Sequence, residues 1–154
     1  MSDPRLVTPR QANPQDRHFY DAVQQLSLTP QEQFLYRHHL RNLYMGGRVM
    51  QPGGEISTAL QVPVQGPGGW YNIPTVWQGQ ILPVPVAANM ARLYGWDQWP
   101  VYGSEDEANA RYMQMHAFME RDSGAWRDAN PPGPDRPDDQ RDLQRPIGQA
   151  PDHR

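Results

Sequence analysis

Apolar residues recur at helical spacing in two N-terminal segments, and each segment follows a capping residue. Asn13-Pro14 predicts a helix start, because Asn is a good N-cap and Pro suits the first helical position. Phe19 and Val23 continue that helix to about residue 26. Thr29 and Glu32 predict a stronger second start, since Thr can cap the helix while Glu reaches back to the cap.

The second helix has one broad apolar face and a clear stop. Arg37, His38 and Arg41 lie across from that face at 100° per residue. Gly46-Gly47 predicts the C-terminal end. The apolar arc consists of Leu35, Tyr36, His39, Leu40, Leu43 and Tyr44.

Residues 56–82 change to a period of two, which predicts strands. Alternating residues from Ile56 to Val64 predict one half-buried strand. Residues 66–69 predict a hairpin loop, residues 70–77 the return strand, and Ile81-Leu82 a short third strand. Pro74 lacks an N–H and predicts an edge or a bulge. The expected sheet is a two- or three-stranded antiparallel meander.

Two further helices follow the strands. Pro83 and Pro85 can open the first, Gly95 ends it, and its predicted core stripe is Val86, Met90 and Leu93. An aromatic connector, residues 96–103, leads to a capping box at Ser104. The last helix, striped by Ala108, Tyr112, Met115 and Met119, is expected to end near residues 122–124.

These elements predict an α+β fold, a small hairpin or three-stranded meander flanked by three to four helices. The expected organisation is a flexible N-terminal arm (1–12), one compact domain (13–126) and a tail (127–154) rich in Pro, Asp and Arg. The tail is too polar to offset its ordering entropy, so we expect it to be disordered or to be ordered by a partner.

Composition excludes several classes of chemistry. The 154 residues include no cysteine and no lysine, which rules out disulfides, thiol catalysis and Schiff bases. The net charge of −3 and the scattered arginines argue against sequence-specific nucleic-acid binding. No apolar run reaches the roughly 18 residues of a membrane span, and the N-terminus has no signal-peptide core.

No catalytic, metal or cofactor constellation stands out in the sequence, so function has to be argued mainly from resemblance. His38 and His39 are adjacent and point about 100° apart, whereas helical metal pairs sit four apart. His39 and His116 are better explained as hydrogen-bonded structural residues. A site joining these two histidines is possible, but it has no evident carboxylate partner.

Aromatic residues are the remaining signal. Such residues pack small cores, and they also enrich protein interfaces and stacking platforms. A role in the core and a role in a partner- or ligand-binding surface both stay open, so these side chains are candidates for partner binding. The candidates are Trp70, Trp77, Trp96, Trp99 and Tyr102.

Several blocks resemble a group of small tailed-bacteriophage virion-associated proteins and modules inside larger virion polypeptides. The longest blocks are residues 28–43 (LTPQEQFLYRHHLRNL), 71–82 (YNIPTVWQGQIL) and 115–122 (MHAFMERD). Shorter ones are residues 56–58 (IST), 99–104 (WPVYGS) and Glu107-Ala108. Pro83-Val84-Pro85 departs from the acidic helix start usual in that group.

The resemblance implies a non-enzymatic structural protein in the virion, made in the host bacterial cytoplasm. It would bind other virion proteins at the head, the portal/tail junction or the tail, in many copies or as a homo-oligomer. One alternative is an accessory or glycan-binding module of a cell-wall-acting phage enzyme complex. An enzyme would need a carboxylate pair, for which only Glu55 and Asp97 are available.

Overall fold

The computed structural model of the protein describes residues 13–131, which form an α+β fold. The predicted N-terminal arm and the tail beyond residue 131 lie outside the described residues. The helices are α1 (Pro14–Leu26), α2 (Pro30–Met45), α3 (Val84–Tyr94) and α4 (Glu105–Ala129), with a 3-10 turn at Trp96–Gln98. The strands are β1 (Val49–Met50), β2 (Ile56–Ser57), β3 (Val62–Gly66), β4 (Gly69–Ile73), β5 (Val76–Trp77), β6 (Gln80–Ile81) and β7 (Val101–Tyr102).

The first two helices begin and end as predicted. The side chain of Asn13 accepts a hydrogen bond from the Asp16 N–H at 2.8 Å. At α2 the Glu32 N–H donates to Thr29 Oγ1 at 3.2 Å, and the Thr29 N–H donates to Glu32 Oε1 at 3.0 Å. Gly46 ends α2 with φ of 99°, a conformation that glycine adopts at little cost.

The central sheet is antiparallel in the order β3-β4-β7. The β3–β4 hairpin confirms the predicted pairing, but the third strand is β7, which the sequence suggested was a connector. The short strand expected at Ile81-Leu82 is present as β6, but it pairs with β5 in a separate two-stranded sheet and does not join the central one. Gln78 and Gly79 both have positive φ, as a tight two-residue hairpin turn between those strands requires.

The single strand predicted over residues 56–64 is interrupted. Leu60 adopts φ of 45° and its side chain is 39% exposed. The Ala59 carbonyl accepts hydrogen bonds from the N–H groups of Thr75 and Val76, and the Leu60 carbonyl accepts one from the Thr75 hydroxyl. These bonds hold residues 58–61 out of the ladder, so alternation does not continue across them.

Helix α3 has the opposite orientation to the predicted one. Its buried residues are Ala87 and Ala91, while Val86 and Leu93 are 46% and 65% exposed. The two alanines allow the helix to approach the core closely, and the Ala91 carbonyl accepts a hydrogen bond from Trp99 Nε1 at 3.0 Å. Two of the three predicted core residues therefore lie on the outside, whereas Met90 is half-buried and packs against the core as predicted.

Helix α4 packs between the other helices and the sheet, and it runs past its predicted end to Ala129. Gly124 disfavours a helix by about 1 kcal/mol, which made residues 122–124 look like a stop. Trp126 outweighs that penalty, because its ring is buried and lies 3.9 Å from the Arg48 guanidinium carbon. The first three residues of the predicted tail are therefore helical.

Candidate functional site

Asp122 on α4 is the centre of a buried polar network that joins three helices. Its Oδ2 accepts hydrogen bonds from the Tyr36 hydroxyl and, at 3.1 Å, from His39 Nε2, both on α2. Its Oδ1 accepts one from Arg121 Nη2 at 3.0 Å and lies 3.1 Å from His18 Nδ1 on α1. We refer to Asp122 with His18, Tyr36 and His39 as the Asp122 network.

The hydrogen bonds fix the tautomers of both histidines in the network. His39 donates from Nε2 to the carboxylate, so its Nδ1 accepts from the Thr58 hydroxyl. His18 faces Asp122 with Nδ1. Its Nε2 therefore accepts a hydrogen bond from the Tyr44 hydroxyl, with 3.0 Å between the two atoms. Both rings satisfy their polar atoms while neutral, as buried groups require.

Burial and hydrogen bonding set the charges in the network. Burial raises the pKa of Asp122, but the hydrogen bonds from His39 and Tyr36 and the nearby histidines outweigh it, so the pKa lies below its ordinary value. Burial lowers the pKa of His39 and of His18 despite the neighbouring carboxylate. Near neutral pH the network therefore holds an ionised Asp122 beside two neutral histidines.

Thr58, His39 and Asp122 follow the hydroxyl–imidazole–carboxylate order of a nucleophilic triad. Catalysis would need the hydroxyl to be open to a substrate, and Thr58 is only 4% exposed. Thr58 borders a recess of about 40 Å³, which holds roughly two or three water molecules. A hydroxyl this enclosed, bonded to a fully buried imidazole, supports a structural role.

The sequence placed His39 in the core correctly, but it did not identify Asp122 as its partner. The two residues are 83 positions apart, and the sequence pattern places Asp122 only at the polar end of a helix. The possible site joining His39 and His116 does not form, because His116 Nε2 bonds to Glu120, four residues along the same helix, at 3.0 Å.

Glu32 is more than a helix cap. Its carboxylate accepts two hydrogen bonds from Arg111 on α4, at 2.7 Å and 3.0 Å, and one from the Tyr102 hydroxyl at 2.7 Å. Burial raises the pKa of Glu32, but these bonds and the one from the Thr29 N–H lower it overall. Glu32 therefore ties the start of α2 to both α4 and β7.

His38 is buried, whereas the helical wheel placed it on the polar side of α2. Its Nε2 donates to the Val76 carbonyl at 2.7 Å, and its ring lies 4.6 Å from the Trp77 ring. Burial lowers the pKa of His38 to about 4. The wheel failed here because β5 covers a second side of α2, which one-sided amphipathicity does not reveal.

The structure separates the five candidate partner-binding aromatics. Trp99 is 1% exposed and packs between Phe34 and Trp77, and Trp77 is also buried. Neither Trp77 nor Trp99 is therefore available to a partner in this fold. The other three, Trp70, Trp96 and Tyr102, are half-buried. Any contact through the aromatic set has to use those three.

The largest change to the expected surface is on α3. Val86, Met90 and Leu93, which we call the outer stripe, follow the spacing i, i+4, i+7 on one side of the helix. Val86 and Leu93 are exposed and Met90 is half-buried. Val84 and Ile81, which lie nearby in the chain, are also exposed, at 44% and 39%.

Neither a metal site nor a membrane segment is seen in the part of the chain that the structure describes. Within residues 13–131 no three His, Asp or Glu side chains are placed to hold a metal ion. No helix in that range is both long and apolar enough to cross a bilayer.

Comparisons of the chain with protein-family models, with curated proteins and with solved structures found no match. The resemblance to tailed-phage proteins therefore stays a prediction, and so does everything that it implies about function.

Proposed function

We propose that this chain is a non-enzymatic structural component of a tailed-phage virion that binds other virion proteins. The observation that carries the proposal is the outer stripe, in which Val86 and Leu93 are exposed while Met90 is half-buried against the core. Exposed apolar surfaces of this kind mark contacts with other proteins. The half-buried Trp70, Trp96 and Tyr102 offer further aromatic surface to an interface.

The buried chemistry supports the same proposal. Tyr36, His39, Thr58 and Asp122 all fall inside blocks that carry the phage resemblance. These side chains form hydrogen bonds to one another in the interior. The blocks that resemble phage proteins therefore contain residues that stabilise the fold. The resemblance does not follow an exposed set of reactive groups, as a shared catalytic site would.

The glycan-binding alternative has less support. Sugar-binding platforms present the faces of aromatic rings to solvent, whereas Trp77 and Trp99 are buried. Glu55 and Asp97 are both exposed, and they sit on separate segments, the β1–β2 turn and the 3-10 turn. Nothing in the described part of the chain favours this second function over the first.

Incorporation of stripe variants into particles tests the proposal. Burying Leu93 in a contact contributes about 1.5–3 kcal/mol, so Leu93→Asp should lower incorporation at least about tenfold at limiting protein. Asn89→Asp, which adds the same charge to an exposed position of the same helix, is the matched control. Equal copy numbers of both variants in purified particles, with both proteins folded, would refute a role for the stripe.

A further inference from the structure

The outer stripe presents one apolar surface and one kind of charge. Arg92 flanks it, exposed and hydrogen-bonded through Nη2 to Asn89 Oδ1 at 2.8 Å. Residues 81–96 contain no aspartate or glutamate. A complementary occupant therefore offers apolar side chains at short helical or extended spacing, with an acidic group beside them.

A second copy of the folded domain fits this surface poorly. A specific interface between proteins buries about 1,200 Å² or more, and three side chains from each copy cover far less. Self-pairing through α3 would also bring Arg92 towards its own counterpart with no carboxylate on either helix to offset it. A short segment of chain needs much less area.

The C-terminal region supplies a segment with the required chemistry. Leu143 and Ile147 are the only large aliphatic residues after residue 131, they are four positions apart, and Asp142 precedes them directly. Arg145 lies between them, so residues 142–147 carry no net charge. Residues 1–12 are a weaker candidate, because their two arginines and one aspartate give them a net positive charge beside Arg92.

The length of the connecting chain also allows the contact. Residues 132–142 span up to about 40 Å when extended, and a domain of this size is roughly 35 Å across. The end of α4 is fixed near the β1–β2 turn, where Arg127 donates to the Gly54 carbonyl. The segment can therefore extend beyond its own domain to α3 of a neighbouring copy.

We propose that the outer stripe is the docking site for residues 142–147 of a neighbouring copy, with Leu143 and Ile147 against Val86 and Leu93 and Asp142 beside Arg92. This rests on the proposed use of the stripe as an interface. Contact with a neighbouring copy would be head-to-tail, which is the kind of contact that builds rings.

Spin labelling of the full chain tests the docking. The protein has no cysteine, so Gln144→Cys gives a single site for a nitroxide. Met90 is the reporter methyl, and Met113, exposed on α4, is the reference. We expect Met90 to lose most of its methyl signal while Met113 keeps its own.

The control carries the same label with Leu143→Asp and Ile147→Asp, and it should restore the Met90 signal. Mixing labelled chains with unlabelled, isotope-enriched chains should reproduce the Met90 loss on the enriched chains, and a loss confined to the labelled chain itself would overturn the contact between copies. Equal effects on both methionines, or none, would overturn it. So would a Met90 signal that changes on dilution of the double variant, since a folded copy would then cover the stripe.

These measurements use isolated protein. The docking can therefore fail while the chain is still found in particles, and it can hold if the chain is absent from them.

Discussion

Replacing Asp122 by asparagine tests how much the buried network stabilises the fold. The substitution keeps the shape of the side chain but removes its charge and one acceptor. In the parent protein the Asp122 carboxylate accepts hydrogen bonds from Tyr36, His39 and Arg121, and His18 Nδ1 lies 3.1 Å from it. An amide has a single acceptor oxygen, so at least one buried donor loses its partner.

The expected loss follows from burial. Removing one partner of a buried ionic hydrogen bond costs about 3–5 kcal/mol, because the groups left behind are desolvated and unpaired. That is a large part of a typical stability of about 5–15 kcal/mol. For a folded region of this size it corresponds to a fall in Tm of about 10–20 °C.

Urea unfolding at pH 7.5, followed by tryptophan fluorescence, measures this difference. Asp21→Asn is the matched control, because Asp21 also pairs with Arg121, but there the two side chains are 42% and 44% exposed, whereas Asp122 is fully buried. The control should cost less than about 1 kcal/mol. A loss below about 1 kcal/mol for Asp122→Asn would show that the network is not a main stabilising contact.

Three further perturbations test other parts of the structure. Burial lowers the pKa of His38 from 6.5 to about 4, so on acidification the unfolded chain protonates this histidine before the folded chain does. The free energy of unfolding should therefore fall by up to about 3 kcal/mol between pH 6.5 and pH 4. Urea titrations across this range check it, and a His38→Gln variant with as steep a pH dependence as the parent would contradict it. Ala91→Leu should cost about 1–3 kcal/mol by overpacking, whereas Leu93→Ala should change the free energy of unfolding, measured by thermal unfolding, by less than about 0.5 kcal/mol. The reverse order would show that Leu93, and not Ala91, faces the core. Leu60→Gly should be about 1 kcal/mol more stable than Leu60→Ala in urea unfolding, because only glycine adopts φ of 45° freely, and an advantage for alanine would show that this backbone is relaxed.

Local signals in the sequence predicted the helices well. The caps at Asn13, Thr29 and Ser104 depend on residues within one turn, so the sequence contains all the information that they need. The β3–β4 hairpin was found for the same reason, since its loop and both strands are adjacent in the chain.

The errors arose where distant contacts decide the structure. Alternation over residues 56–64 could not reveal that Thr75 and Val76 bind the carbonyls of residues 59–60. The stripe of α3 looked like a core because hydrophobicity alone does not distinguish a buried face from an uncovered one. Small alanines gave the closer packing, and the larger side chains were left outside.

The candidate site shows the same division. The sequence placed His39 inside because it lies on an apolar arc, but the carboxylate that completes its surroundings is on another helix. Aromatic density correctly drew attention to residues 70–102, although it could not separate Trp99, a core residue, from the half-buried Trp96.

Quantitative mass spectrometry of purified particles, calibrated against a capsid protein, tests the proposal that this chain is a structural part of a phage particle. We expect a reproducible copy number per particle that matches the symmetry of one virion layer. A chain that is abundant in infected cells but absent from washed particles would contradict it.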